Sequence, residues 1–477
     1  MTSRLFLPRA LAALGFILTA PLTHVLPQAM AHVLPQAMAQ AMAADGGTEL
    51  APPSEVMPPA AAAPKIVSKK SDLAAENSAV NLDPEKVSLE WTIYGAFNAR
   101  EFGYFKNAQD LNPRRRREVD LERVVFEPEL EFGRRFKLET EIEFEHGGTG
   151  SALEFDGFDE SGEFERETGQ GGEAKVDKLE LTYLDTDYAS YRVGLITVPV
   201  GVISQRHHPT EYFTTTRNRS EGKIIPSTWR SVGVGVFGDI TSWLQYQAVL
   251  VQGLNSELFR KYNWIGDGAA RKFETTNADN LAYALRLDYG PDFPYRKIGV
   301  SAYYGDTSRN RKKTDQLTVE AGVLVADIHA IWESDSWTFR ALYLRGWLQN
   351  SEDVATANAS LTGTMKPSGA SAPLGKVAEA AFAEVGYNIR NLAPAYLQRR
   401  TDVFLRYDTV DPMKETQGSI TRDARFAETS WTAGVNYLPR PEIVAKLQYS
   451  SIKSGLDSVP EQSEIMAGIG FYYSTEN

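Results

Sequence analysis

Ten residues, Phe136 to Glu145, read Phe-Lys-Leu-Glu-Thr-Glu-Ile-Glu-Phe-Glu and constrain the fold more than any other segment. Phe136, Leu138, Thr140, Ile142 and Phe144 occupy the even positions, and Lys137, Glu139, Glu141, Glu143 and Glu145 the odd ones. Successive side chains of a strand point to opposite faces, so this segment has one apolar face and one ionic face. Four carboxylates in a row cannot face a dry core, and their side must be wet. About sixteen alternating segments recur along the chain, joined by connections that alternate between short and long. The pattern predicts an all-β fold, a closed antiparallel barrel of about 16 transmembrane strands.

The first strand begins with Val87, Leu89, Trp91 and Ile93, separated by Ser88, Glu90, Thr92 and Tyr94. The next segments fall at 118–132, 136–145, 176–184, 189–197, 231–237 and 243–251. Further ones fall at 280–289, 297–305, 316–332, 336–345, 377–390, 400–409, 429–438, 442–451 and 463–473. One set of connections is short, including Gly133–Arg135, Glu333–Asp335 and Pro439–Pro441. The other set includes 146–175, 198–230, 252–279 and 346–376, long and Gly-rich or charged. Short turns at one end and long loops at the other are the asymmetry of an outer-membrane barrel. Two strands change phase: Val119 and Leu121 give way to Val124 and Phe126, and Val323 and Val325 to Ile328 and Ala330. A β-bulge is expected in each, and Pro128 favours an irregularity in the first.

Composition narrows the class. The chain has 477 residues, 42% hydrophobic, with a mean hydropathy of -0.33. After residue 43 no run reaches the roughly 18 apolar residues of a membrane helix, a test that barrels escape. The 21 Tyr, 22 Phe and 8 Trp suit interfacial girdles. The absence of cysteine excludes disulfides, thiolate metal sites and covalent haem attachment.

Arg4 and Arg9 precede an apolar run from Ala10 to Leu22, then small-residue sites such as Ala37-Met38-Ala39 and Ala41-Met42-Ala43. Residues 1–43 therefore read as a secretory signal peptide. His-Val-Leu-Pro-Gln-Ala-Met-Ala occurs at 24–31 and again at 32–39, a local duplication of cleavage sites. Residues 44–86, rich in Ala, Pro and Ser, read as a flexible periplasmic leader, and 87–473 as the barrel. Losing Arg4 and Arg9 with the signal takes the net charge from -12 to -14. So acidic a chain argues against nucleic acid as a partner.

Gly222-Lys-Ile-Ile-Pro-Ser-Thr-Trp-Arg-Ser-Val-Gly-Val-Gly-Val-Phe-Gly238 resembles the entry into the sixth strand of the phosphate-selective porin O/P family. Tyr191-Arg-Val-Gly-Leu with Pro199 and Gly201 is similar to that family's fifth strand and its exit into the third loop. Tyr437-Leu-Pro-Arg-Pro441, followed by Val444, Lys446 and Tyr449, looks like its last periplasmic hairpin. The resemblance spans about 90 to 473. It implies a trimeric bacterial outer-membrane porin of sixteen strands, whose third loop folds inward and narrows the channel. The end of the chain departs from the usual pattern. Gly468, Phe471 and Tyr473 match the spacing of the assembly signal, but Met466 stands at a usually polar position and Ser474–Asn477 follow.

Loop 198–230 carries Arg206, His207, His208, Arg217, Arg219, Lys223 and Arg230. Basic residues in a pore concentrate anions, and Arg offers a bidentate fork to phosphate oxygens. These seven are the candidate constriction, with an ordinary solvated loop as the alternative. On the wall, Glu127, Glu129 and Glu131 join Glu139, Glu141, Glu143 and Glu145 in an acidic ladder that should recruit basic partners. Arg192, Arg286, Arg340, Arg406 and Lys446 fall at polar positions of other strands, so opposed charged walls would set a field across the pore.

The adjacent pair His207-His208 lacks a nearby carboxylate at ligand spacing, and no metal or cofactor is expected. No local motif sets a nucleophile beside a base, which argues against an enzyme. The expected function is passive diffusion of small hydrophilic solutes and ions across the outer membrane, with an anion or phosphate preference. A membrane hydrolase and a secreted soluble β-sandwich are the alternatives. The expected partners are outer-membrane lipids, small ions such as phosphate, and two further copies of the chain.

Overall fold

The computed structural model describes residues 87–475 apart from 106–110, 148–151, 157–164, 170–172, 270–276, 293–294, 362–372 and 395. The signal peptide and leader expected over 1–86 lie outside the described residues. The first strands are β1 (Val87–Tyr104), β2 (Arg114–Phe132), β3 (Phe136–Glu145), β4 (Ala152–Asp156), β5 (Glu165–Gly169) and β6 (Glu173–Leu184). They are followed by β7 (Ser190–Thr197), β8 (Arg230–Thr241), β9 (Leu244–Gln252), β10 (Leu281–Tyr289), β11 (Arg296–Asp306) and β12 (Gly322–Glu333). The last six are β13 (Trp337–Leu348), β14 (Val377–Asn388), β15 (Arg400–Glu415), β16 (Glu428–Arg440), β17 (Ile443–Ser454) and β18 (Gln462–Ser474). Strands β4 and β5 form a separate hairpin; the other sixteen close into one barrel, β18 pairing with β1. Every ladder in it is antiparallel, and closure removes the unpaired edges that an open sheet would expose.

The side-chain alternation decides which face is which. Phe136 and Phe144 of the opening segment are exposed on the outside, while Glu141 and Glu143 between them are buried inside. A band of exposed apolar residues, such as Val193, Val234, Leu285, Val300 and Ile328, runs around the exterior. At the end carrying the short turns, Phe132, Phe136, Tyr191, Trp243, Tyr289, Trp332, Trp337, Tyr437 and Tyr473 stand exposed around the rim. An apolar belt edged by aromatics on a closed barrel is how a chain meets lipid and its headgroup interface. This is a barrel of the bacterial outer membrane. A soluble sandwich is excluded, because its apolar faces would be packed together and not turned outward.

One expected bulge is present and the other is not. The register between β1 and β2 shifts between Ala96 and Asn98, so β2 carries an extra residue near Leu121. On β12 the ladder with β11 is unbroken from Asp306↔Gly322 to Arg296↔Trp332, and the strand starts at Gly322, later than the expected 316. Val323 and Val325 keep phase with Asp327 and His329 and face inward. Their apolar character has another cause: segments of the long loops enter the barrel and pack a hydrophobic core against its wall. Val198, Val200, Ile224, Ile225 and Trp229 join Val323, Val325, Leu342 and Leu344 in that core. The chain end also fits the ladder, since Ser474 pairs with Thr92 and the Thr475 amide donates to the Trp91 carbonyl. Met466 faces inward, where its sulfur accepts from Gln448 Nε2 at 3.7 Å.

Candidate functional site

Segment 198–230 connects β7 to β8 and contacts lumen-facing groups around most of the barrel. Its own structure is slight, a 3-10 turn at Ile203–Gln205 and a short helix α1 (Arg219–Gly222) whose N-cap Asn218 accepts from the Ser220 and Glu221 amides. A chain without ladders leaves its backbone donors and acceptors to be satisfied elsewhere. Here wall side chains satisfy them. Arg286 Nη1 donates to the Gly201 carbonyl at 2.6 Å, and Asp327 accepts from the Gly201 amide at 3.0 Å. Lys446 Nζ donates to the carbonyls of Tyr212 and Thr214 at 2.7 and 2.8 Å. Asn436 donates to the Phe213 carbonyl, Gln448 accepts from the Thr215 amide, and Arg123 donates to the His207 carbonyl.

The segment's charged side chains are paired as well. Arg206 lies 3.1 Å from Glu333, the last residue of β12, and 3.7 Å from Glu211. The segment thus reaches the short-turn end of the barrel. Arg217 approaches Glu145 at 4.0 Å; Arg219 and Lys223 share Glu428 at 3.4 and 2.6 Å. Arg230 meets Glu141 at 2.7 Å and Asp177 at 3.6 Å. Burial, and then the carboxylates beside it, act on Arg206 in opposite directions. For Arg206 the neighbouring Glu333 and Glu211 prevail and its pKa rises. Glu221, buried, accepts from the Val202 and Ile203 amides at 2.8 and 3.0 Å, yet desolvation still pushes its carboxyl up to about 7.

The acidic ladder faces inward, and cations from several sources neutralise it. Glu139 lies 3.1 Å from Lys178, and Glu143 lies 3.3 Å from Lys175 and 3.4 Å from Arg123. Lysines of the wall itself therefore share the task with loop arginines. Glu129 stands directly opposite Glu139 across the ladder, and Lys137 lies 2.7 Å from Glu129.

The basic set is divided. Arg340 bonds Glu384 at 2.8 Å and Glu333 at 2.9 Å, and Arg406 bonds Asp408 at 2.7 Å and Glu384 at 2.9 Å. Arg286 bonds Asp288 at 2.6 Å, and His329 bridges Asp288 and Asp327. Arg192 stands apart from these, on β7, with Gln247 at 3.0 Å and Glu180 at 4.0 Å. It belongs to the acidic side and not to an opposing basic wall.

Two cavities show the resulting charge separation. One of about 70 Å³ is lined by Glu90, Glu127, Glu129, Glu139 and Glu141 against a single cation, Lys178. The other, about 20 Å³, is lined by Arg206, Arg217, Arg340 and Arg406 against Glu211 and Glu384.

The histidine pair is better supplied with ligands than its sequence spacing suggests. Glu127 of β2 brings a carboxylate to His207 and His208, and one ligand atom from each of the three lies within 4.8 Å of the others. Sequence reasoning missed this because the carboxylate comes from a distant strand. Burial pushes the His208 imidazole down to about 4 and lowers that of His207, so both rings are neutral at pH 7. Also unforeseen were Arg123, Asp327, Glu384, Asp408 and Glu428; their signal was a charged residue in the inward phase of its strand.

Absent side chains complete the fit. A Cβ on Gly386 of β14 would lie 2.1 Å from the Phe213 ring, and one on Gly470 of β18 2.5 Å from Pro209. Gly386→Val should therefore unseat Phe213, at a cost of about 1–3 kcal/mol for overpacking. Thermal melts in detergent should show this loss, and in a Phe213→Ala background the same glycine substitution should cost little. An equal loss in both backgrounds would show that Phe213 does not rest on this glycine.

No family model matches the sequence. An "Uncharacterized protein" of Aquifex aeolicus (strain VF5) is 23% identical over 339 residues, covering 69% of this chain and 70% of the relative. Among solved structures, the outer membrane channel DcaP of Acinetobacter baumannii aligns with TM-score 0.49 and 12% identity, covering 81% of this chain and 97% of that one. OprB of Pseudomonas putida aligns with TM-score 0.49 and 8% identity, covering 85% and 96%. Salmonella typhi OmpF gives TM-score 0.45 and 12% identity, covering 82% and 98%.

Proposed function

We propose that this protein is a porin, a passive channel for small hydrophilic solutes and ions, narrowed by segment 198–230. The observation that carries the reading is the charged interior of a sixteen-stranded barrel, with ionic groups of both signs around an inward-held segment. A barrel of that strand number is wide enough to leave an aqueous channel. Charged side chains turned inward would be costly in a dry interior and are ordinary in a wet one.

The channel's preference is for anions. It is supported by the cavity where four arginines face two glutamates, and by the resemblance to the phosphate-selective O/P family. The glutamate-lined cavity opposes it, so the preference is modest and phosphate is one solute among several. Purified protein in planar bilayers should give stepwise conductance, and reversal potentials in asymmetric KCl and potassium phosphate should favour anions. Folded protein that carries no current but cleaves lipid or ester substrates would replace the channel with the hydrolase.

A homotrimer is the proposed assembly, since the resemblance implies one and porins of this size bury one side of the barrel against neighbours. Detergent-corrected ultracentrifugation should report three copies at micromolar concentration. Monomers alone would remove the claim.

A further inference from the structure

We infer that Glu127, His207 and His208 form a binding site for a divalent transition-metal ion of the zinc class inside the barrel. The three candidate ligand atoms, all within 4.8 Å of one another, are two imidazole nitrogens and a carboxylate oxygen. Ligands of one tetrahedral Zn²⁺, each at about 2.0–2.2 Å, stand about 3.3–3.6 Å apart, so side-chain rotations that draw the atoms together by about an ångström close the site.

A second observation points the same way. His207 is only 7% exposed, yet neither of its ring nitrogens has a hydrogen-bond partner. The nearest acid to its Nε2, Glu141, is 3.7 Å away, beyond hydrogen-bond reach. A buried imidazole with one long carboxylate contact and no hydrogen bond is undersatisfied, and a metal ion would take up the lone pair of its unprotonated nitrogen.

The surroundings hold both rings in place. Arg123 fixes the His207 backbone through its carbonyl, and the His208 ring lies between Tyr94 and Tyr472, with centroids at 4.6 and 4.7 Å. Glu211 Oε2 stands 3.6 Å from His208 Nδ1, positioned to orient the ring from behind. The adjoining cavity of about 70 Å³, with five glutamates and one lysine, would draw a cation toward Glu127. Two nitrogens and one oxygen suit zinc, and suit calcium or magnesium poorly, since those take oxygen ligands. Bound metal would tie the inward segment to β2, and an open coordination position would remain for water or a solute.

The site is tested by binding and does not depend on conduction. Full-length protein in detergent, stripped with chelator, is titrated with Co²⁺ and then Zn²⁺. One equivalent of Co²⁺ should give visible absorption that one equivalent of Zn²⁺ removes, with Mg²⁺ in excess having no effect. Glu127→Gln and His208→Gln should each weaken binding by at least about tenfold while heat-modifiable gel mobility stays that of the folded barrel. Substoichiometric binding by the wild-type chain would overturn the inference. So would wild-type affinity in both folded variants.

Discussion

Arg230→Gln is expected to destabilise the protein by about 3–5 kcal/mol, the usual cost of leaving one member of a buried ion pair alone. Arg230 and Glu141 are 2.7 Å apart, with side chains only 6% and 1% exposed. Without the guanidinium, Glu141 retains the Tyr94 hydroxyl at 2.9 Å and loses its principal counter-charge. Asp177, 3.6 Å from the same Arg, is left with Lys175 at 3.9 Å. Glu141→Gln should be costly for the converse reason. The double variant should lose less than the sum of the two, because both uncompensated charges go together. Urea unfolding in detergent, followed by heat-modifiable mobility, measures all three. Single variants within about 1 kcal/mol of wild type would mean that lumen water solvates both groups and that the pair stabilises little.

The barrel was legible because lipid outside and charge inside impose a strict period of two. Segment Phe136–Glu145 shows this most plainly, with Phe144 outside and Glu143 inside as the alternation requires. The same rule misled at Val323 and Val325, where the interior is locally apolar under the inward core and no bulge is needed. Alternation reads what each face touches, and it fails where a loop changes the contents of the barrel.

The inward segment was only half legible. Its basic residues could be seen, but the groups that hold its backbone could not. Lys446 on the Tyr212 and Thr214 carbonyls, or Arg286 on that of Gly201, uses acceptors that every residue possesses. Nothing in a sequence marks which carbonyl will be used. Glu127 escaped notice as a neighbour of the histidines for a related reason, since only barrel closure and the path of the segment bring it there. Phase alone groups Arg192 with the other arginines, while strand order sets it beside Glu180 on the acidic side.

Neutralising Arg206, Arg217, Arg219 and Lys223 together, each to Gln, is expected to lower anion permeability relative to cations by about fivefold or more at low salt. Each of these cations sits by a carboxylate, and none would be replaced: Glu333 and Glu211 beside Arg206, Glu145 beside Arg217, and Glu428 beside the other two. Two of the four, Arg206 and Arg217, also line the arginine-rich cavity, which would keep Arg340 and Arg406 against the same two glutamates. A unit charge at roughly 4 Å contributes about 4 kcal/mol at an effective dielectric of about 20. Ions pass farther away and through water, so about 1 kcal/mol, near a fivefold change in population, is the reasonable scale. The Debye length is about 8 Å at physiological strength and about 3 Å at molar salt, so the shift should fade as salt rises. Reversal potentials across a KCl gradient, taken at low and at high salt, read this directly. A quadruple variant that is folded and conducting, with an unchanged reversal potential at low salt, would mean that permeating ions do not pass this segment. The loop would then be packing inside the wall, with the selective stretch of the pore elsewhere.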